Sequence, residues 1–274
     1  MDTHFTAAPA EAIEEFSPEF SSSSLPTINP TLALPLVSFV IPTLNEAKNL
    51  PHLLPRIPEW AYEVIIIDGR STDDTVEVAR QLRPDVRIVM EPRRGKGAAL
   101  QAGFRAARGE VIIALDADGS MAPEEAILFL GALMTGADLV KGSRTIQGAG
   151  SVDITWFRSL GNRGLTLIVR LLYGCAFSDL CYGYFAFWSK HVNRLACDRD
   201  GFEIETLINV RALKNRLKIA EVASFESARV HGFSNLRAIP DGFRILRTIL
   251  SERLSPYLPI AERIGELGKG APRA

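Results

Sequence analysis

Cysteine is scarce, one end of the chain has no basic residue, and no apolar run is long; each shortage excludes a class of protein. Cys175, Cys181 and Cys197 are odd in number and lack C-x-x-C spacing, and the four histidines are scattered. Neither a disulfide framework nor a zinc site is expected. No uninterrupted apolar stretch reaches the roughly 18 residues of a membrane-crossing helix, so any membrane contact should be peripheral. Residues 1–34 hold five acidic side chains (Asp2, Glu11, Glu14, Glu15, Glu19) and no lysine or arginine. This acidic start, interrupted by Pro9, Pro18, Pro26 and Pro30, does not fit a secretory signal and predicts a cytoplasmic protein. With Ser21 to Ser24 it has too little apolar area to offset its ordering entropy, and a disordered acidic tail is expected over residues 1–34.

The rest has globular character. The chain has 274 residues, 47% hydrophobic and 23% charged, which suits one large domain. The net charge is −1, and with the five acids of the tail set aside the other 240 residues carry 31 basic and 27 acidic side chains. That balance is too weakly basic for a duplex-binding protein, so no nucleic-acid partner is expected.

Short apolar, β-branched runs occur at Val37 to Ile41, Val64 to Ile67 and Val111 to Leu115, with helix-like stretches at about 46–57, 72–82 and 96–108. Strands apolar throughout and separated by helices predict an α/β fold: a mostly parallel, Rossmann-like sheet flanked by helices. Ligands of such sheets bind beyond the carboxyl ends of the strands. Here those ends carry Pro42 to Glu46, Asp68 to Asp73 and Asp116 to Ser120. Any one of these is ordinary turn chemistry; three in succession point to one site.

Asp116-Ala117-Asp118 follows the third run, and carboxylates two apart in extended chain share a side. They suit a hard cation, Mg²⁺ or Mn²⁺, that keeps positions open for diphosphate oxygens. Lys96, between Gly95 and Gly97 at a predicted helix start, is favourable ground for an anion.

Taken together, Val37 to Leu50, Glu63 to Val76, Gly95 to Gly119 and Gly142 to Ser189 resemble glycosyltransferase family 2, in particular its dolichol-phosphate mannosyltransferase-like, polyprenyl-phosphate branch. The resemblance spans about residues 36–250 and implies a GT-A fold, a divalent metal and inversion at the anomeric carbon. It assigns residues 35–240 to a single catalytic domain and 241–274 to an amphipathic C-terminal helical segment and tail. By the same resemblance Pro42, Leu44, Asn45, Glu46, Asp68, Lys96 and Ala117 belong to the nucleotide-sugar site, with Leu44 in place of an aromatic residue and Gly69 in place of a second aspartate. Asp116 and Asp118 match the metal-binding pair, and Ser120 stands where some relatives have glutamine.

Arg144, Arg158, Asn162, His231 and Ser234 lie in segments that resemble the acceptor-phosphate half, and Arg229 joins the catalytic set. Guanidinium groups fit phosphate oxygens bidentately, although a lone arginine is more often a surface ion-pair residue. A phosphate acceptor is already ionised near neutral pH and needs no protein base. A hydroxyl acceptor would need one, for which Glu205, Glu203 and Asp179 are candidates. The implied reaction moves mannose or glucose from a GDP- or UDP-hexose to polyprenyl phosphate. The alternatives are a soluble hydroxyl acceptor and a non-catalytic nucleotide-sugar binder.

Leu160 to Phe177 is apolar over much of its circumference, with Arg158, Asn162, Thr166 and Arg170 recurring four apart, and Phe243 to Leu250 is basic and amphipathic. Both are expected to lie either in the core or in the headgroup region on the inner face of the plasma membrane.

Overall fold

A computed structural model describes residues 34–255. The tail expected over 1–34, Leu34 apart, and the end of the chain beyond Ser255 lie outside the described residues. The three apolar runs become β1 (Val37–Thr43), β2 (Glu63–Asp68) and, after the short β3 (Arg87–Met90), β4 (Val111–Ala114). Phe39, Ile41, Val64, Ile66 and Ile113 face one side with Leu50, Leu53 and Phe129, while Val40, Ile65, Ile67 and Ile112 face the other with Leu100 and Phe104. Both phases of the two-residue repeat are apolar because both faces of the sheet are covered. Each such side chain, fully buried, contributes about 1.5–3 kcal/mol.

Between the strands lie α1 (Leu50–Leu53), α2 (Thr75–Leu82) and α3 (Lys96–Ala106), followed by α4 (Ala126–Met134). The helix expected over 46–57 is reduced to one turn of α1 and a 3-10 turn at Leu54–Arg56, each opened by a proline, Pro51 and Pro55. Proline tolerates a first turn but not a helix interior, which sets this punctuation.

Beyond β4 come β5 (Leu139–Ser143), β6 (Gly150–Ser151), α5 (Trp156–Tyr173), β7 (Phe185–Trp188), α6 (Val192–Leu195), α7 (Ile204–Lys214), β8 (Ile219–Ala223), β9 (Phe225–Glu226) and α8 (Ala238–Leu254). The seven-stranded sheet runs β3-β2-β1-β4-β7-β5-β8, and β6 pairs with β9 in a separate ribbon. All its pairings are parallel except those of β7, which is antiparallel to both β4 and β5. Thr43 and Asp68 stand side by side in register, so the loops after β1, β2 and β4 leave the sheet at one edge.

Helix α5 is turned opposite to an ordinary surface helix. Asn162 and Thr166 are buried, whereas Trp156, Leu160, Leu167 and Leu171 are exposed, Trp156 by 77%. The polar groups point inward because the core needs them: Asn162 donates to Asp179 (2.8 Å) and accepts from the Cys181 amide, and Thr166 accepts from the Leu180 amide. Arg170, the last of the four-apart set, is exposed. The 240/241 boundary falls inside α8, whose Ile245 and Ile249 pack with Val169 of α5 and Val210 of α7.

Candidate active site

The loops after β1, β2 and β4 meet segments of the second half around one cleft. Of the expected donor-site residues, Pro42, Leu44, Glu46, Lys96 and Ala117 line it, as do Asp116, Asp118, Glu205 and Arg229. Lys96 reaches in from the first turn of α3, with its ammonium 2.5 Å from Asp116 and 2.6 Å from Glu205. Burial would lower the Lys96 ammonium, but the charges of Asp116 and Glu205 outweigh it and hold it above its ordinary value. Burial also raises the Asp116 carboxyl; the charge of Lys96 opposes this, and the like charges of Asp118 and Glu205 add to it. Arg229 bridges Asp118 (2.7 Å) and Glu46 (3.3 Å). Burial raises the Glu46 carboxyl despite the opposing Asn49 amide and Arg229.

The glycines around Lys96 do different work from the anion cradle expected of them. The amides of Gly97 and Ala98, at the start of α3, both donate to the Asp200 carbonyl, at 2.8 and 3.2 Å. A Cβ on Gly97 would lie 2.2 Å from the Arg199 carbonyl oxygen, so glycine is there to let the 199–201 segment approach α3. These two amides of the helix terminus are therefore already occupied.

Asn45 and Asp68 build the loops that frame the cleft. Asn45, in the left-handed region at φ 59°, accepts from the Thr72 amide (2.7 Å) and so clasps the β1 and β2 loops together. Asp68 Oδ2 accepts from the Arg70 and Ser71 amides, while Oδ1 is buried with no hydrogen-bond partner. A buried acceptor without a donor has lost its hydration and is a ready partner for an incoming N–H.

The acceptor-half residues divide. Arg144 is 8% exposed and spends its guanidinium on Asp179 (2.8 and 3.1 Å) and Glu226 (3.0 Å), with Tyr182 stacked beneath at 4.7 Å. Burial would raise the Asp179 carboxyl, but hydrogen bonds from Arg144 and the charges of Lys141 and Arg144 bring it down to about 2. Asn162 orients the same aspartate. Arg158 is held more loosely, 3.8 Å from Asp153, and lines the outer end of the cleft; Ser234 also lines it. His231 does not; its amide and carbonyl pair with the Asn49 side chain, and its ring lies 5.6 Å from that of His52. Of the three carboxylates weighed as a base, only Glu205 lines the cleft.

Sequence reasoning missed Gly183. A Cβ there would lie 2.6 Å from Lys96 Nζ, 2.7 Å from Glu205 Oε1 and 3.3 Å from Asp116 Oδ2. The signal available was its position just after Ser178-Asp179-Leu180, at the start of an apolar run. Because the atoms it would strike end flexible side chains, Gly183→Ala should keep the fold while displacing Lys96 from Asp116 and Glu205. A loss of about ten-fold in turnover is expected, one charge-assisted contact's worth; steady-state kinetics matching the parent would clear that space of any role.

The carboxylate pair fits a divalent cation by its chemistry, two hard oxygen donors on one loop, while among the described residues no group of three or more His, Cys, Asp or Glu is arranged to hold a metal ion. The mostly parallel α/β sheet, with carboxylates, a lysine and an arginine gathered beyond its strand ends, has the GT-A-like fold of solved glycosyltransferases. The chain belongs to glycosyl transferase family 2, whose family model matches residues 38–195.

Among its relatives, polyprenol monophosphomannose synthase of Mycolicibacterium smegmatis is 33% identical over 210 residues, 72% of this chain and 79% of that protein. Dolichol-phosphate mannosyltransferase of Pyrococcus furiosus is 29% identical over 73% of this chain and 59% of its own length. Among solved structures, glucosyl-3-phosphoglycerate synthase from Mycobacterium tuberculosis in complex with Mn²⁺, UDP-glucose and phosphoglyceric acid is 26% identical, with a TM-score of 0.64 over 81% of each chain.

Proposed function

We propose that this family 2 enzyme is an inverting hexosyltransferase that moves mannose or glucose from a GDP- or UDP-sugar to polyprenyl phosphate at a membrane surface. One observation carries the acceptor reading. The cleft continues past Arg158, Cys181 and Leu236 into a groove between α5 and α8 lined by Ile154, Phe157, Leu165 and Ile245. A phosphate head at Arg158 with an apolar chain in that groove matches both surfaces. Trp156 and Leu160 on α5 and Phe243 on α8 are exposed, with the exposed Arg163 and Arg244 on the same two helices, a composition that suits peripheral attachment to an anionic leaflet. No helix among the described residues is long and apolar enough to cross a membrane.

On this reading Asp116 and Asp118 hold Mg²⁺ or Mn²⁺, which when bound neutralises charge on the diphosphate. Lys96 and Arg229 flank the same diphosphate, and Asp68 Oδ1 accepts from the nucleotide base. Arg158 and Ser234 hold the acceptor phosphate. Its oxygen forms the new bond to the anomeric carbon from the face opposite the diphosphate, which leaves with the bonding electron pair. No proton need be removed, so Glu205 acts by holding Lys96. The chain's contribution is alignment and charge. Arg144, held by Asp179 and Glu226, lines the cleft and shapes the wall between donor and acceptor ends.

A soluble phosphate-bearing acceptor is the second reading, favoured by the likeness to the structure that holds phosphoglyceric acid. GDP- and UDP-sugars, each tested with polyprenyl phosphate and with phosphoglyceric acid, separate the two. Transfer to the lipid is expected, and Arg158→Ala should lower it about ten- to hundred-fold while nucleotide binding is kept. Transfer only to the soluble acid, with Arg158 dispensable, would reverse the assignment.

A further inference from the structure

Lys96 and Arg229 each close on one carboxylate of Asp116-Ala117-Asp118. Lys96 Nζ lies 2.5 Å from Asp116 Oδ1, and Arg229 Nη2 lies 2.7 Å from Asp118 Oδ2. The two cations come from distant parts of the chain, the first turn of α3 and the segment after β9. Each has a second carboxylate to rest on, Glu205 for Lys96 at 2.6 Å and Glu46 for Arg229 at 3.3 Å. Four carboxylates against two cations leave a formal charge of −2 in the cluster, the charge one divalent ion balances. An ammonium and a guanidinium seated on these oxygens are competitors for such an ion. Both also line the cleft in which a diphosphate would lie.

Resting on the donor-site reading above, we propose that Lys96 and Arg229 make metal binding conditional on the nucleoside diphosphate. A divalent ion arriving alone has to displace two ion pairs, and the displaced cations have only one carboxylate each to fall back on. An ion arriving with a diphosphate offers both cations new anionic oxygens, so each exchanges one charged partner for another. Metal and nucleotide therefore bind as a unit, and by reciprocity each tightens the other by the same factor. Removing either cation has an effect opposite to that of damaging a metal site: the ion alone binds better, because its competitor is gone and the carboxylates it leaves are uncompensated.

Free Mn²⁺ measured by electron paramagnetic resonance during titration tests this, with the full-length protein in the presence and absence of UDP or GDP. The parent should bind Mn²⁺ weakly alone and at least about ten-fold more tightly with the nucleotide, the scale of one charge-assisted contact. Lys96→Gln should bind Mn²⁺ alone about ten-fold more tightly than the parent, and the nucleotide should add less. Arg229→Gln, whose side chain is more exposed, should behave likewise and serves if Lys96→Gln fails to fold by circular dichroism. Variants that bind Mn²⁺ alone no better than the parent overturn the competition, even if the parent binds metal well with nucleotide. Absence of Mn²⁺ binding in every arm, nucleotide included, removes the donor-site metal and the inference together, so the two failures read differently.

Discussion

Asp118→Asn is expected to cut sugar transfer by about a hundred-fold or more and to leave the fold standing. Asparagine keeps the shape and still accepts at Oδ1 from the Ser120 amide, a 2.9 Å bond that shapes the loop. It loses the charge that holds Arg229 at 2.7 Å and that would ligate the divalent ion. Two charge-assisted contacts at about 1.5–3 kcal/mol each account for the size of the effect. Thermal stability should change little, because the substitution also removes a like charge beside Asp116. Initial rates with saturating Mn²⁺, alongside a thermal melt, check both halves. Parent-like turnover in excess chelator would take the carboxylate pair out of the reaction.

Arg144→Met should lower the thermal midpoint by roughly 10 °C. The guanidinium is the only cation within ion-pair distance of Asp179 among the described residues, and Asp179 is 0% exposed. Removing one partner of a buried pair costs about 3–5 kcal/mol, and in a chain of this size each kcal/mol moves the midpoint about 2–4 °C. The pair also sets a pH dependence. Asp179 is held at about 2, below its unfolded value of about 3.9, so its stabilisation is fully present above the unfolded value. It is lost as pH falls through the folded value. Melts of parent and variant from neutral pH down to about 2 test the assignment. An unchanged midpoint with selective loss of acceptor binding would return Arg144 to the acceptor phosphate.

The parts of this molecule written in neighbouring residues were legible, and the parts made by distant ones were not. The apolar runs of β1, β2 and β4 and the polar turns after them follow from composition over five or six residues. β3 escaped because it is only four residues long and opens on Arg87, too short a pattern to stand out, with Met90 61% exposed at the sheet edge. β7 is fully apolar, but nothing in Phe185–Trp188 tells whether it runs with or against its neighbours. Lys96 and Asp116 could be named as site residues from local motifs. That Lys96 lies between Asp116 and Glu205 could not, since the glutamate is 109 residues away. The stripe of Asn162 and Thr166 was visible as a period of four, yet periodicity carries no sign. Which face turns inward was decided by Asp179 and the amides of Leu180 and Cys181.

The reversed strand has a consequence for synthesis. β4 and β5 share no hydrogen bonds; β7 lies between them, and the segment leading into it carries Asp179, Tyr182 and Gly183. A nascent chain that has produced only its first 180 residues holds the carboxylate pair and Lys96 but lacks the strand that joins the two halves of the sheet, and it lacks Glu205 and Arg229 as well. On the proposed function, a fragment or an unfinished chain holds only part of the cleft, and sugar transfer awaits closure of the sheet across its middle.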